Sequence, residues 1–181
     1  MQYFVTGATG FIGKRLVKTL LARKGAVVYF LLRPESENKV AALLEYWGAS
    51  KARAVPVYGD LTSKKLGDAA DDVKALKGQI DHLYHLAAVY DLSADEDSQV
   101  KVNIEGTRSA VEFAKAIEVK HFHHVSSIAA AGLYEGVFRE DMFEEAEGLD
   151  HPYFMTKHES EKIVRKECKV KWTVYRPAMV V

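Results

Sequence analysis

The 181-residue sequence is short of several things, and each shortage excludes a class of protein. A single cysteine, Cys168, cannot form an internal disulfide, so a reducing, cytoplasmic setting is the expectation. Four prolines and the lack of any repeat or low-complexity tract exclude a Pro-rich linker or a solenoid. Charge of either sign is not in excess: 25 Lys+Arg stand against 25 Asp+Glu. The chain therefore carries no electrostatic footprint for nucleic acid or for an anionic membrane surface. No apolar run approaches the roughly 20 residues of a membrane span. Met1 leads straight into a short apolar run and a glycine turn, which is not the pattern of a secretory signal.

What is present is 48% hydrophobic and 28% charged residues, the composition of one globular domain with a real core. Short apolar runs alternate with longer amphipathic stretches, the signature of βαβ units around a parallel sheet. Strands are predicted at Tyr3 to Val5, Val27 to Leu32, Ala54 to Tyr58, Asp81 to Ala88, His121 to Ser126 and Trp172 to Tyr175. Helices are predicted from Phe11 to Leu21, from about Glu35 to Trp47, from about Asp95 to Ile117, and from about Tyr153 to Glu167. The acidic, Gly-rich stretch from Ile128 to Asp150 reads as loop with room for one short helix. Right-handed crossovers between six strands give a doubly wound Rossmann α/β sheet, order 3-2-1-4-5-6, with helices on both faces.

The strongest local signal is Thr6-Gly7-Ala8-Thr9-Gly10-Phe11-Ile12-Gly13, between the first strand and the first helix. Gly7 permits the tight turn, Gly10 lets a pyrophosphate approach the backbone, and Gly13 lets the helix pack closely on the sheet. Free N–H groups and the helix dipole attract the phosphates. A P-loop fails here: Ala8 stands where its first glycine belongs, and Arg15 replaces the Ser/Thr that would hold magnesium. Twenty positions beyond Gly13 stands Arg33. An acidic residue there would accept from the ribose hydroxyl of NAD, whereas a guanidinium suits a 2′-phosphate and favours NADP(H) over NAD(H). Glu35 and Glu37, close by, keep NAD open.

Seven histidines invite a metal hypothesis. His82 and His85 are three apart on a predicted strand and so point to opposite faces. His121 and His123 share a face, but no cysteine or third ligand stands at metal spacing. All seven are read as structural, with no metal expected, and Cys168 carries no motif of reactivity.

A longer set of motifs occurs in order: Gly59-Asp60-Leu61, His85-Leu86-Ala87-Ala88, Val102 to Thr107, Val125-Ser126-Ser127, Tyr153-x-x-x-Lys157 and Arg176-Pro177. Together with the glycine turn, this set resembles the extended short-chain dehydrogenase/reductase family over nearly the whole chain. The resemblance implies that Gly7, Thr9, Gly10, Phe11, Ile12, Gly13, Arg33, Asp60, Leu61, Ala87 and Ala88 hold the cofactor. Asp60 and Leu61 would meet the adenine, and Ala87 and Ala88 would line it beside the fourth strand. It also implies a catalytic set of Ser127, Tyr153 and Lys157, with Ser126 the alternative by one position. Tyr153 and Lys157 also touch the cofactor in this reading.

Those residue types suit the chemistry. Tyr153 and Lys157 are four apart and share a helix face. An ammonium beside a phenol lowers its pKa from about 10 towards the working range of a general acid. Ser127 would hydrogen-bond the substrate carbonyl oxygen, and Asn103 would tie its helix to neighbouring strands.

Within the family, the turn, His-Leu-Ala-Ala before Val89-Tyr90-Asp91, and the Ser-Ser-Ile-Ala-Ala strand end resemble the fatty acyl-CoA or thioester reductases and the dihydroflavonol or steroid-type reductases. The implied substrate is an acyl thioester, aldehyde or ketone. The resemblance leaves open a nucleotide-sugar epimerase or dehydratase, a non-catalytic NAD(P) sensor, and a homodimer. It also places Arg176-Pro177 where the family leaves its cofactor domain. Residues 1–181 are thus expected to be the NAD(P)-binding Rossmann domain carrying the catalytic trio, without the C-terminal substrate-binding portion.

Overall fold

In the computed structural model, which describes residues 1–64, 66–67, 72–89 and 95–180, six parallel strands form one sheet. They are β1 (Gln2–Thr6), β2 (Val27–Leu32), β3 (Ala54–Tyr58), β4 (His82–His85), β5 (His121–Val125) and β6 (Lys171–Tyr175), in the order β3-β2-β1-β4-β5-β6. This is the doubly wound order expected from the alternation of runs. The helices are α1 (Phe11–Leu21), α2 (Val40–Trp47), α3 (Val73–Leu76), α4 (Glu96–Gln99), α5 (Gly106–Ala116) and α6 (Pro152–Glu167).

Strand alternation divides the core into two layers. Tyr3 and Val5 face α1 and α2 with Val28, Phe30, Leu20 and Trp47. Phe4 faces the other way, into a cluster with Leu83, Phe113, Phe122 and Val164 under α5 and α6. Burying such side chains on both faces is the main favourable term holding the sheet, about 1.5–3 kcal/mol for each large apolar group.

Three elements depart from the sequence reading. The stretch from Glu35 to Trp47 is not one helix: a 3-10 turn, Pro34–Lys39, precedes α2. Its residues Glu35, Ser36, Glu37 and Asn38 have no apolar face to bury, so regular helix starts only at Val40. The helix before β5 is interrupted by a widened π segment, Val100–Glu105, between α4 and α5. There the Thr107 hydroxyl donates to the Asn103 carbonyl at 2.6 Å, and Gly106 lies so close to Leu61 that a Cβ would meet its Cδ2 at 2.8 Å. Finally, β4 ends at His85 and not at Ala88, because Leu86 to Val89 bend away to meet the glycine turn. Tyr90 and Asp91 lie outside the described residues.

Candidate active site

At the carboxyl ends of the strands, β1 delivers the chain into Gly7, whose φ of +74° is a left-handed conformation that only glycine adopts cheaply. A Cβ on Gly7 would also strike the backbone of Ala87, 2.7 Å from its nitrogen. Gly13 is excluded from bearing a side chain by the Gly7 carbonyl directly behind it. Gly10 is different. A Cβ there would meet only the Gly7 oxygen, at 3.4 Å, and otherwise project into the cavity that Gly10 lines. Packing demands glycine at 7 and 13, whereas at 10 it keeps a cradle open above the start of α1. That helix begins without a side-chain cap and without an acidic residue in its first turn, leaving its N–H groups and dipole available to an anion. These residues fit a dinucleotide pyrophosphate.

The same cavity, about 330 Å³, joins the cradle to the far end of the sheet. Phe11, Ile12 and Ala88 line it, and so do Ser127, Tyr153 and Lys157. Thr9, Arg33, Asp60, Leu61 and Ala87 do not line it. Thr9 is exposed, and Ala87 contributes backbone, its N–H donating to the Thr6 hydroxyl. Leu61 is core, packed under Gly106, which leaves only its backbone for a ligand. Arg33 and Asp60 are brought together at the ends of β2 and β3. The Asp60 carboxyl is held below its usual pKa by the Thr62 backbone N–H, with the Arg33 charge assisting. Arg33 itself is largely exposed, in a loose 3.8 Å contact with Glu35.

Ser126 and Ser127 separate clearly. Ser126 is buried, and its hydroxyl donates to Glu161 Oε2 at 2.8 Å. Ser127 caps the short 3-10 turn Ile128–Ala131, its Oγ accepting from the Ala129 N–H, a bond that does not use its own proton. Tyr153, in the first turn of α6, is buried, and its backbone N–H is accepted by His151 Nδ1. One turn on, Lys157 is 4% exposed and donates to the Val125 carbonyl at 3.2 Å. Burial pushes its pKa down to about 8, with Glu161 opposing the shift.

Sequence reasoning missed the groups behind this trio. Glu161 is fully buried and accepts from Ser126, Arg165 and Arg176. Burial pushes its carboxyl up, but the hydrogen bonds from Arg176, Ser126 and Arg165 outweigh that and leave it below the usual value. Its position four residues after Lys157, on the same helix face, was the available signal. His85 is wholly buried, with its pKa lowered to about 3 by burial and by Lys157. Its ring is therefore neutral. Thr107 spends its proton on the Asn103 carbonyl, so His85 Nε2 donates to Thr107 and its Nδ1 accepts from Thr6. His124 stacks on His85 at 5.5 Å. Asn103 accepts from the Val89 N–H and donates to Val89 and Thr156, so it ties its helix to the loop after β4 and to α6, not to strands.

Strand pairing changes the company that the histidines keep. His82 and His85 do face opposite ways, but β4 lies against β5 and sets His82 beside His121 and His123. A third imidazole is therefore present, supplied by strand pairing that linear spacing does not display.

Residues 5–181 match the male sterility protein family. The chain is 34% identical over 173 residues to a linear gramicidin synthase of Brevibacillus parabrevis, covering 88% of this chain and 3% of that protein. It is 28% identical over 127 residues to a putative fatty acyl-CoA reductase of Drosophila melanogaster, covering 64% of this chain and 23% of that one. Among solved structures, it resembles the terminal R domain of the myxalamid PKS-NRPS pathway, with a TM-score of 0.84 and 30% identity over 99% of this chain and 49% of that chain. It also resembles UDP-glucuronic acid 4-epimerase from Bacillus cereus in complex with NAD, with a TM-score of 0.76 and 26% identity over 99% and 57% of the two chains. The chain spans 3% and 23% of the length of these two curated relatives.

Proposed function

The chain belongs to the extended short-chain dehydrogenase/reductase family, in its male sterility protein branch, and from that premise we propose that it is the cofactor-binding and catalytic portion of an NADPH-dependent reductase of acyl thioesters. One observation carries this reading: a single cavity is lined by the glycine cradle and by Ser127, Tyr153 and Lys157. A cradle alone would serve a sensor, which has no need of a proton-transfer set beside it.

A bound reduced nicotinamide supplies the hydride that the acyl carbon accepts. Ser127 donates a hydrogen bond to the carbonyl oxygen and fixes its direction. Tyr153 passes its phenolic proton to that oxygen as the C–H bond forms, and the resulting thiohemiacetal expels the thiol to leave an aldehyde. Lys157, protonated below about pH 8, stabilises the phenolate left on Tyr153. Ser126 is a positioning residue in this scheme, since its hydroxyl is committed to Glu161. The acyl chain has a route outward whose apolar side chains stand beside Arg139, Glu140, Arg165 and Arg176. A wider hollow shares Ile12, Val125, Pro177 and Val180 with the catalytic cavity and adds Ile128 and Phe138. The name of the fatty acyl-CoA reductase relative supports the same substrate class, and Arg33 supports the 2′-phosphate of NADPH.

The test is NADPH oxidation in the presence of a long-chain acyl-CoA, with aldehyde and free thiol as products. Tyr153→Phe is expected to lower turnover by about 10²–10⁴-fold while leaving NADPH affinity near wild type. The resemblance to the B. cereus epimerase favours one rival: redox-neutral turnover of a UDP-sugar with retained cofactor would replace the thioester reading.

A further inference from the structure

The sheet face that α1 and α2 cover over β1 to β3 continues across β4 to β6, away from the catalytic cavity, and there it is lined by imidazoles. Parallel pairing puts His82 opposite His121, and the two-residue period of a strand brings His123 onto the same face. One nitrogen of each ring lies within 4.8 Å of the other two. His82 Nδ1 and His123 Nε2 are already 2.9 Å apart. We propose that His82, His121 and His123 form a binding site for a zinc-class divalent ion, clamping β4 to β5.

The donor set points to that class of ion. Three imidazoles with no thiolate suit Zn²⁺, Ni²⁺ or Cu²⁺, and not Mg²⁺ or Ca²⁺, which want oxygen ligands. A tetrahedral zinc site with bonds of about 2.0–2.1 Å places its nitrogens about 3.4 Å apart, so the wider separations have to close by up to about an ångström while the 2.9 Å His82–His123 pair opens slightly. The strands need not move for this. His121 and His123 now stack with centroids 4.1 Å apart and planes 17° from parallel, an arrangement in which their lone pairs do not converge. His82 and His121 are only half-buried and turn about their side-chain bonds at little cost, whereas His123 is buried and fixed.

Hydroxyl partners flank the site, and the one on the fixed His123 ring is already placed for the bound arrangement. Thr173 Oγ1 meets His121 Nε2 at 2.8 Å, and the Tyr175 hydroxyl meets His123 Nδ1 at 2.9 Å. Hydroxyl contacts to one ring nitrogen are the means by which metal-bound histidines are oriented. The fourth position is left to solvent. Arg23, Lys120 and Lys171 lie near enough to act on these rings and oppose a dication, against the single carboxylate of Asp81 beside His82, so the affinity expected is micromolar and not that of a closed structural zinc site.

The experiment is calorimetric titration of the untagged 181-residue chain with ZnCl₂, followed by Co²⁺ as a spectroscopic probe of tetrahedral coordination. One ion per chain is expected, with a melting temperature that rises as Zn²⁺ is added. His121→Asn and His82→Asn, both at half-exposed positions, are expected to weaken binding by more than the roughly 10- to 100-fold that loss of an outer-shell partner costs and to abolish the rise. His151→Asn, at the exposed N-cap of α6, where asparagine can also cap, is expected to change neither. Melting curves without metal show whether each variant is folded. No binding by the wild-type chain, or undiminished binding in both sheet variants, would overturn the proposal. The reductase reading does not depend on it.

Discussion

Among the described residues, the half of the sheet built on β1, β2 and β3 buries one polar side chain, Thr6. The half built on β4, β5 and β6 buries thirteen, Lys157 and Glu161 among them. The first half is assembled from apolar packing and from missing side chains. Gly7 and Gly13 let the β1 turn, the loop after β4 and α1 approach each other, and nothing charged is enclosed. The second half encloses an ammonium, a carboxylate and the neutral ring of His85, held by hydrogen bonds such as Ser126 to Glu161 and Thr6 to His85, and it also buries His124, neither of whose ring nitrogens has a partner among the described residues. Binding a dinucleotide needs a shape, whereas moving a proton needs groups whose ionisation is tuned by burial, and such groups cost stability. Under the proposed function, the two halves divide those demands between them.

The comparison breaks most sharply at Glu161. Glu161→Ala leaves Arg176, Arg165 and Ser126 facing a cavity without their acceptor, and is expected to destabilise the fold by about 3–5 kcal/mol in chemical denaturation. No single truncation of a glycine-turn residue on the nucleotide side removes a buried ion pair, so none should match it. A loss below about 1 kcal/mol would mean that the Glu161 network is solvated and that the contrast between the halves is false.

Lys157 tests the same contrast with the opposite sign. The unfolded lysine keeps its proton to 10.5, the folded one only to about 8. Between those values the unfolded chain binds more protons, so the stability contributed here rises with pH, and the burial penalty is fully present below pH 8. Lys157→Met is therefore expected to raise the melting temperature at pH 7, to show a smaller advantage at pH 10, and to abolish turnover. His85 acts in acid by the same logic: its folded pKa of about 3 lies below the unfolded 6.5, so stability falls as pH drops through 6.5. Thermal melts at pH 5, 7 and 10 of wild type and Lys157→Met check both signs. Equal pH dependence in the two proteins would remove Lys157 as a buried cation.

On the nucleotide side the expected effect moves from stability to affinity. Gly10→Ala adds a methyl group that meets only the Gly7 oxygen, so folding is expected to change by less than about 1 kcal/mol. The methyl group projects into the cradle, and dinucleotide affinity is expected to fall by tenfold or more, about 1.4 kcal/mol. Equal losses of stability and affinity would make Gly10 a packing residue like Gly13.

The halves also differed in how much of them the sequence displays. The glycine turn is contiguous, its spacing is its mechanism, and strands β2 and β3 read directly from apolar runs. Tyr153 and Lys157 were legible because one helix carries both. Glu161, His85 and the company of His82 were not, because each acquires its partners across the sheet: Ser126 is 35 positions from Glu161, and His123 is 41 from His82. Propensity also misread the start of α2 and the end of β4. A polar first turn and a glycine approaching from another strand decided those boundaries, and neither is a local preference.

The smallest effect is expected at Arg33, where the nucleotide half meets solvent. Its guanidinium is mostly exposed, and its 3.8 Å contact with Glu35 is too long and too solvated to stabilise the fold measurably. Arg33→Ala should therefore leave the melting temperature unchanged. A 2′-phosphate, by contrast, would gain a charge-assisted, bidentate partner from the same side chain. NADPH affinity is then expected to fall about tenfold, and NADH affinity to change little or to improve, in parallel fluorescence titrations. Equal losses for the two dinucleotides would show that Arg33 is a solvated strand end, and would hand the ribose to Glu35 or Glu37 and the preference to NADH. Because Asp60 shares the Arg33 charge, Asp60→Asn in the same titrations separates the roles: an acidic group facing the adenine side should affect both dinucleotides alike, and only the phosphate partner should discriminate between them.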